Sequence, residues 1–282
     1  MVLEFERPPS VSLWTVFRKK GRPVAAGEVL PRVEARARVL DLDPALYART
    51  CGFAATDPLP LTFPTVLARG LQLTVLTHEA LPVRLAGVVH ARQRIEQRRP
   101  IRAGEALSGQ VWIDGFRPAR RGGELDMHTV VHAGGDEVWH GVTTILSREL
   151  PGDGVKRPGV EDIPFPLRRS TSWQVPGDMG RRYARASGDY NPIHLHRLAA
   201  RLFGFPRAIM HGWWTLARAV AEADTEIPPA CVLEASFLSP LFLPGQVSFE
   251  SGPLQGGTRM VVRNNRGKKG DGRILVADVR PA

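Results

Sequence analysis

The chain has only two cysteines, Cys51 and Cys231, among its 282 residues, and neither belongs to a C-x-x-C spacing. A disulfide framework and a thiolate zinc site are therefore excluded. Nowhere do eighteen uncharged apolar residues follow one another, so no membrane-spanning helix and no membrane partner are expected. Met1 to Arg7 carry two Glu and no apolar run of the signal-peptide kind, and the expected location is cytoplasmic. Zinc-finger spacing, an RNP-like aromatic motif and a basic helix running into heptads are all missing, which argues against a nucleic-acid partner. Lysine is scarce: only Lys19, Lys20, Lys156, Lys268 and Lys269 contribute to the 38 basic residues, and Arg spread along the chain carries the net charge of +10. A solvated Arg-rich surface accounts for that charge, which permits a phosphate-bearing partner without requiring one. What is present, 43% hydrophobic residues with 28 Gly and 24 Pro in no G-X-Y period, describes a globular chain of one large domain or two ordinary ones.

Two stretches of the chain echo each other. Tyr47-Ala48-Arg49-Thr50-Cys51-Gly52 is matched by Tyr183-Ala184-Arg185-Ala186-Ser187-Gly188, Phe63-Pro64 to Gly70 by Phe205-Pro206 to Gly212, and Pro100 to Gly104 by Pro240 to Gly245. The order is the same, and the second copy is six residues longer between the first two blocks. Duplication of one unit is the simplest account. Residues 149–168 hold four Pro and three Gly without an apolar period, the composition of a linker. The expected division is a first repeat over 1–148, a linker over 149–168 and a second repeat over 169–282. Residues 1–32, with Arg18, Lys19, Lys20 and Arg22, match nothing in the second copy.

Within each repeat a short helical patch precedes a mostly apolar helix. In the second it is expected over Ile209 to Ala223, apolar nearly all round and so buried on most sides. Strand-like stretches follow: Leu85 to Ile95, Leu107 to Ile113, Leu125 to Val131 and Val138 to Leu146 in the first repeat, and Val232 to Leu238, Val247 to Phe249, Met260 to Val262 and Ile274 to Val279 in the second. The expected class is α+β, one helix wrapped by a curved antiparallel sheet in each repeat, with the two sheets able to join edge to edge.

The repeats differ where chemistry would sit. After Gly188 the chain reads Asp189-Tyr190-Asn191-Pro192-Ile193-His194-Leu195-His196, whereas after Gly52 it reads Phe53-Ala54-Ala55-Thr56-Asp57-Pro58. Pro192 restricts Asn191 to extended geometry, and the loop can aim Asp189 and His194 at one point. A carboxylate and an imidazole converging on water suit general acid and base work near neutral pH. Asx-turn residues with a packed histidine would give the same letters, but loss of the pair from one duplicate favours the chemical reading. Ser187 has no strand-to-helix G-x-S-x-G setting and is not read as a nucleophile.

The run from Tyr183 to His194, followed by Phe205-Pro206 and Met210-His211-Gly212, resembles the hydratase signature of the MaoC-like, (R)-specific enoyl-CoA hydratase family. The whole length resembles the double-hotdog 3-hydroxyacyl-thioester dehydratases, whose N-terminal repeat lacks the motif. That resemblance implies a double hotdog fold, a hydro-lyase acting between trans-2-enoyl and (R)-3-hydroxyacyl thioesters in fatty acid metabolism, and Asp189 and His194 as the catalytic pair. It implies that Asn191 supports the pair and that the Gly212 N–H receives the developing enolate charge. Tyr190, Pro192, His211 and Trp213 would contact substrate. No metal and no separate cofactor is implied, since coenzyme A or a carrier-protein phosphopantetheine arrives as part of the substrate. The chain would be a pseudo-dimer able to act alone or to pair with a second copy. Trp213 and Trp214 depart from the smaller side chains of the family, which leaves acyl-chain length open.

Two other readings stand beside this one. A non-catalytic acyl-thioester binder or a hotdog thioesterase would share the fold without needing the Asp/His loop. A cupin-like metal site could start from His194 and His196, but Arg197-Leu198-Ala199-Ala200-Arg201 supplies no carboxylate after them.

Overall fold

The computed structural model describes residues 1–11, 24, 28, 30–83, 88–156, 159–223, 226–265 and 272–282. Arg18, Lys19, Lys20, Arg22, Leu85, Lys268 and Lys269 lie outside the described residues. The chain separates into two compact units. The first comprises Met1–Leu42, Pro64–Ile95 and Gly104–Gly159, and the second Asp43–Phe63, Glu96–Ala103 and Val160–Ala282.

In the first unit β1 (Val2–Phe5) pairs in parallel with β2 (Glu34–Ala37), which pairs antiparallel with β4 (Leu107–Ala119); β4, β5 (Gly122–Ala133) and β6 (Asp136–Ser147) form an antiparallel meander, with β3 (Val88–Gln97) beside β6. Of the two alternating runs in the sequence, Leu125, Met127, Thr129 and Val131 are all buried in β5, whereas along Val138, His140, Val142, Thr144 and Leu146 the residues His140, Val142 and Leu146 are half-buried and the inward set of β6 is Trp139, Gly141, Thr143 and Ile145. Against this face lies helix α3 (Arg69–Thr77), reached through the short α2 (Pro64–Leu67) and packed on β2 and β4. It buries Leu71, Val75 and Leu76, and Gln72 Nε2 donates to Thr129 Oγ1 at 3.0 Å. The start of α3 is covered by the N-terminal segment, so that a Cβ at Gly70 would collide with the Pro9 carbonyl and press on Pro8. β1, β2 and this covering contact lie in or beside the stretch the sequence left unassigned.

The second unit has the strand order β8 (Cys231–Phe237), β11 (Arg273–Pro281), β10 (Gly257–Asn264), β9 (Gly245–Leu254) and β7 (Arg169–Val175), antiparallel at every step. The expected strands are all present, β8 shifted by one residue at the same length and β9, β10 and β11 longer than expected; β7, an edge strand, has no sequence expectation behind it. Helix α7 (Gly212–Glu222) crosses β10 and β11 and buries Trp213, Trp214, Leu216, Ala217 and Val220, each large side chain stabilising the fold by roughly 1.5–3 kcal/mol. This helix starts three residues later than its apolar pattern predicts. Ile209 pairs with Phe242 as an isolated bridge, Met210 N–H donates to Leu241 O at 2.7 Å, and His211 is extended at φ −60°, ψ 130°. Burial against strand-like neighbours explains the apolar run there as well as a helix would.

Two further helices, α1 (Ala45–Cys51) and α4 (Met179–Ser187), pack on each other, and α1 also meets α7. Each ends at a left-handed glycine, Gly52 at φ 86° and Gly188 at φ 71°, whose N–H returns to the carbonyl of Ala48 or Ala184, a conformation that favours glycine. Trp213 and Trp214 donate their indole N–H groups to the Thr62 and Thr50 carbonyls at 3.1 and 2.9 Å. Tyr47, fully buried, donates to Thr62 Oγ1 at 2.9 Å. Among the described residues no helix is long and apolar enough to cross a membrane.

Candidate active site

The turn at Gly188 leads directly into the loop the sequence singles out. Ser187 Oγ donates to Tyr183 O at 2.8 Å and accepts from Asp189 N at 3.3 Å, so the hydroxyl braces the loop. Asp189 Oδ1 accepts from Asn191 N at 3.3 Å, and Asn191 Oδ1 from Ile193 N at 3.4 Å. Asn191 thereby caps the short helix α5 (Pro192–Leu195), with proline at its first position, a pairing suited to a helix start. The Asx turns and the placement of the pair are thus one structure rather than competing accounts.

His194 is held from two directions. Its Nδ1 lies 2.9 Å from Ile209 O, and Ile209 N donates to Ile193 O at 3.1 Å, so the extended 209–211 segment clamps the residue. A carbonyl only accepts, so Nδ1 carries the hydrogen and Nε2 of the neutral ring presents a lone pair. From the other side α4 approaches so closely that a Cβ at Gly180 would collide with the His194 carbonyl. His211 is 2% exposed; its Nε2 is 3.0 Å from the Asp189 carbonyl, and its ring stacks on His194 with centroids 3.8 Å and planes 28° apart.

Asp189, His194 and His211 each offer a donor atom within 4.8 Å of the others. Such a set could hold a divalent cation, since metal-binding imidazoles are commonly braced by carbonyls in this way. His196 is not part of it: the residue is exposed, and its Nδ1 caps α6 (Arg197–Leu202) by accepting from Leu198 N at 3.2 Å. The His194/His196 metal pair considered from sequence is replaced by this different trio.

Gly212 is the first residue of α7, so its N–H has no partner within the helix. A Cβ there would come within 3.0 Å of the Phe237 ring. Trp213 is 6% exposed with its N–H bound to Thr62 O, which places it in the packing between α7 and the 43–63 segment. Pro192 is half-buried in the first turn of α5, and Tyr190 is 40% exposed beside the loop. Gly180, Phe237 and the Ile209 carbonyl had not been singled out. Only Gly180 left a signal, a glycine inside a helix, where it costs about 1 kcal/mol against alanine.

A MaoC-like domain model matches residues 162–265, and a FAS1-like dehydratase region model matches residues 41–141. The chain is 32% identical over 239 residues to 3-hydroxyacyl-thioester dehydratase X of Mycobacterium tuberculosis, covering 83% of this chain and 85% of that one. It is 25% identical over 188 residues to the peroxisomal enoyl-CoA hydratase 2 of Arabidopsis thaliana, covering 60% of each. Among solved structures, HtdX of Mycobacterium tuberculosis superimposes with a TM-score of 0.76 at 30% identity, over 88% of this chain and all of that one. A double-hotdog protein of the same bacterium superimposes at 0.51 and 16% identity, over 85% of this chain and 86% of that one, a likeness of fold.

Proposed function

The chain belongs to the MaoC-like dehydratase family, with the double hotdog fold, and from that footing we propose how its residues carry out reversible hydration of an enoyl thioester. It is a hydro-lyase joining trans-2-enoyl and 3-hydroxyacyl thioesters, and the (R) product is the one we assign. The observation that carries the reading is the convergence of Asp189, His194 and His211, whose side-chain donor atoms lie within 4.8 Å of one another.

In the hydration direction Asp189 and His194 hold a water molecule between them. Its oxygen bonds to C3 of the enoyl group while one of its protons is delivered to C2. The thioester oxygen bears the enolate charge in between, and the Gly212 N–H at the helix N-terminus is the donor we place against it. Dehydration runs the same atoms in reverse: a proton leaves C2 and hydroxide leaves C3. The thioester itself acidifies the C2 hydrogen, so the scheme calls on no metal, redox cofactor or covalent intermediate. Asn191 acts by fixing α5, and Tyr190 and Pro192 stand where substrate would pass. We assign one repeat to 1–148, a linker to 149–168 and the catalytic repeat to 169–282, with the thioester carried by coenzyme A or an acyl-carrier protein.

The test is the loss of conjugated-thioester absorbance on adding wild-type protein to crotonyl-CoA, to a longer trans-2-enoyl-CoA and to the carrier-bound thioester, with Asp189→Asn and His194→Ala alongside. Turnover by wild type and its collapse in both variants is expected. Wild-type protein that hydrates none of these thioesters would be a binder, and the reading would fall.

A further inference from the structure

We propose that His211 is a positioning residue for this reaction rather than a wall of the acyl pocket, an inference that rests on the hydratase reading of the site. Its burial leaves 2% of its surface to offer a substrate. What it does touch is the machinery. Its Nε2–H holds the Asp189 carbonyl at 3.0 Å, its ring covers the His194 ring at 3.8 Å, and its far environment includes the Tyr183 ring at 4.8 Å. Its own carbonyl accepts from Thr215 N at 3.2 Å in the first turn of α7, which fixes the helix start at Gly212. The side chain therefore links the carboxylate loop to the imidazole, and the backbone of the same residue leads into the helix start that carries the proposed oxyanion donor.

The chain contains its own control. Where the first copy lacks Asp and His in the loop, the position matching His211 is Arg69, while the matching glycine, Gly70, is retained. The histidine is missing from the copy that lacks the catalytic pair and present in the copy that has it, so it goes with the pair. Physically, the bond from Nδ1 of His194 to Ile209 O fixes that ring's tautomer, and stacking against a second ring restricts its tilt. The stacked His211 ring supplies that restriction, and its bond to Asp189 O ties it to the loop that carries the carboxylate. Displacements of about 1 Å in such an arrangement cost on the order of a hundredfold in rate.

The experiment separates ring from donor. His211→Phe keeps the stack and loses the hydrogen bond; His211→Gln keeps a donor at similar reach and loses the stack; His211→Ala loses both. With crotonyl-CoA we expect each of the first two to lower kcat by about tenfold, and Ala by about a hundredfold, with KM within about twofold of wild type, the signature of lost transition-state rather than ground-state contacts. Thermal melts identify any variant that does not fold, and the near-isosteric Phe and Gln variants carry the test if Ala fails to. A raised KM at unchanged kcat would make His211 a pocket wall, and unchanged kinetics in all three would leave it no role; either overturns the proposal. Absence of turnover in the wild type would overturn the hydratase reading instead, so the two failures are distinguishable.

Discussion

Gly180 of α4 lies so close to the His194 carbonyl that no side chain fits between them. The histidine therefore owes part of its position to a residue that carries no functional group. Alanine is the better helix former by about 1 kcal/mol, yet a methyl group forced into this contact costs about 1–3 kcal/mol. Gly180→Ala is expected to lower the melting temperature and to reduce kcat at least tenfold by displacing α5. A stabilised, fully active variant would show that the two helices can separate without cost.

At Gly212 the added Cβ meets the Phe237 ring at 3.0 Å rather than main chain. Gly212→Ala keeps the backbone N–H but shifts the helix start, and a misplaced oxyanion donor costs on the order of a hundredfold in rate. Introducing Phe237→Leu on that background returns space and is expected to recover part of the rate. Parallel kcat measurements on the single and double variants decide this; no recovery would mean that the methyl group obstructs the substrate itself.

Alkaline pH should destabilise the protein before it harms any surface ion pair. Burial pushes the Tyr47 phenol well above its usual range, raises the Cys51 thiol, and pushes Cys231 up to about 11. Each group is neutral in the folded state and ionises more easily once unfolded. The associated stability is complete below the unfolded values, about 8.5 for thiols and 10 for tyrosine, and is lost as pH rises through the folded ones. Each such group contributes a loss of about 1.4 kcal/mol per pH unit within its window. Urea midpoints should hold steady from pH 7 to 8 and fall between pH 9 and 11, and Cys231→Ala should flatten part of that fall.

Metal should inhibit rather than support turnover. Asp189, His194 and His211 present donor atoms within 4.8 Å, and a zinc ion at about 2.0–2.2 Å from each would occupy the place of the attacking water. Activity is expected to survive EDTA and to fall on adding zinc, with recovery on chelation. Loss of activity after EDTA, restored by metal, would replace the acid–base scheme with a metal-dependent one.

The residues that can be read from sequence are those whose role is local. Asp189, Asn191 and His194 lie within one turn-and-helix start, and the left-handed Gly188 that aims them follows from the end of α4. The strands were legible because alternating burial leaves a period of two. What sequence could not show are contacts between segments far apart in the chain: the Ile209 carbonyl on His194, Phe237 against Gly212, Gly180 against α5. The start of α7 was misplaced for a related reason. Ile209 and Met210 are apolar because they face Phe242 and Leu241 across a bridge, and apolarity alone does not distinguish that from another helical turn. His211 stands next to Gly212 in sequence and reads as a substrate contact; its stacking on His194 belongs to the fold.

The Pro8–Pro9 segment laid over Gly70 bears on how the two halves could change with time. Writing an Asp/His loop into residues 53–58 would restore the letters of the second copy, but the start of α3 would still be covered by main chain at Gly70. A second helix start free to receive a substrate oxygen would require the Pro8–Pro9 segment to move as well. Substitutions in the loop alone would leave that cover in place, so the asymmetry between the copies is held by main chain as well as by side chains.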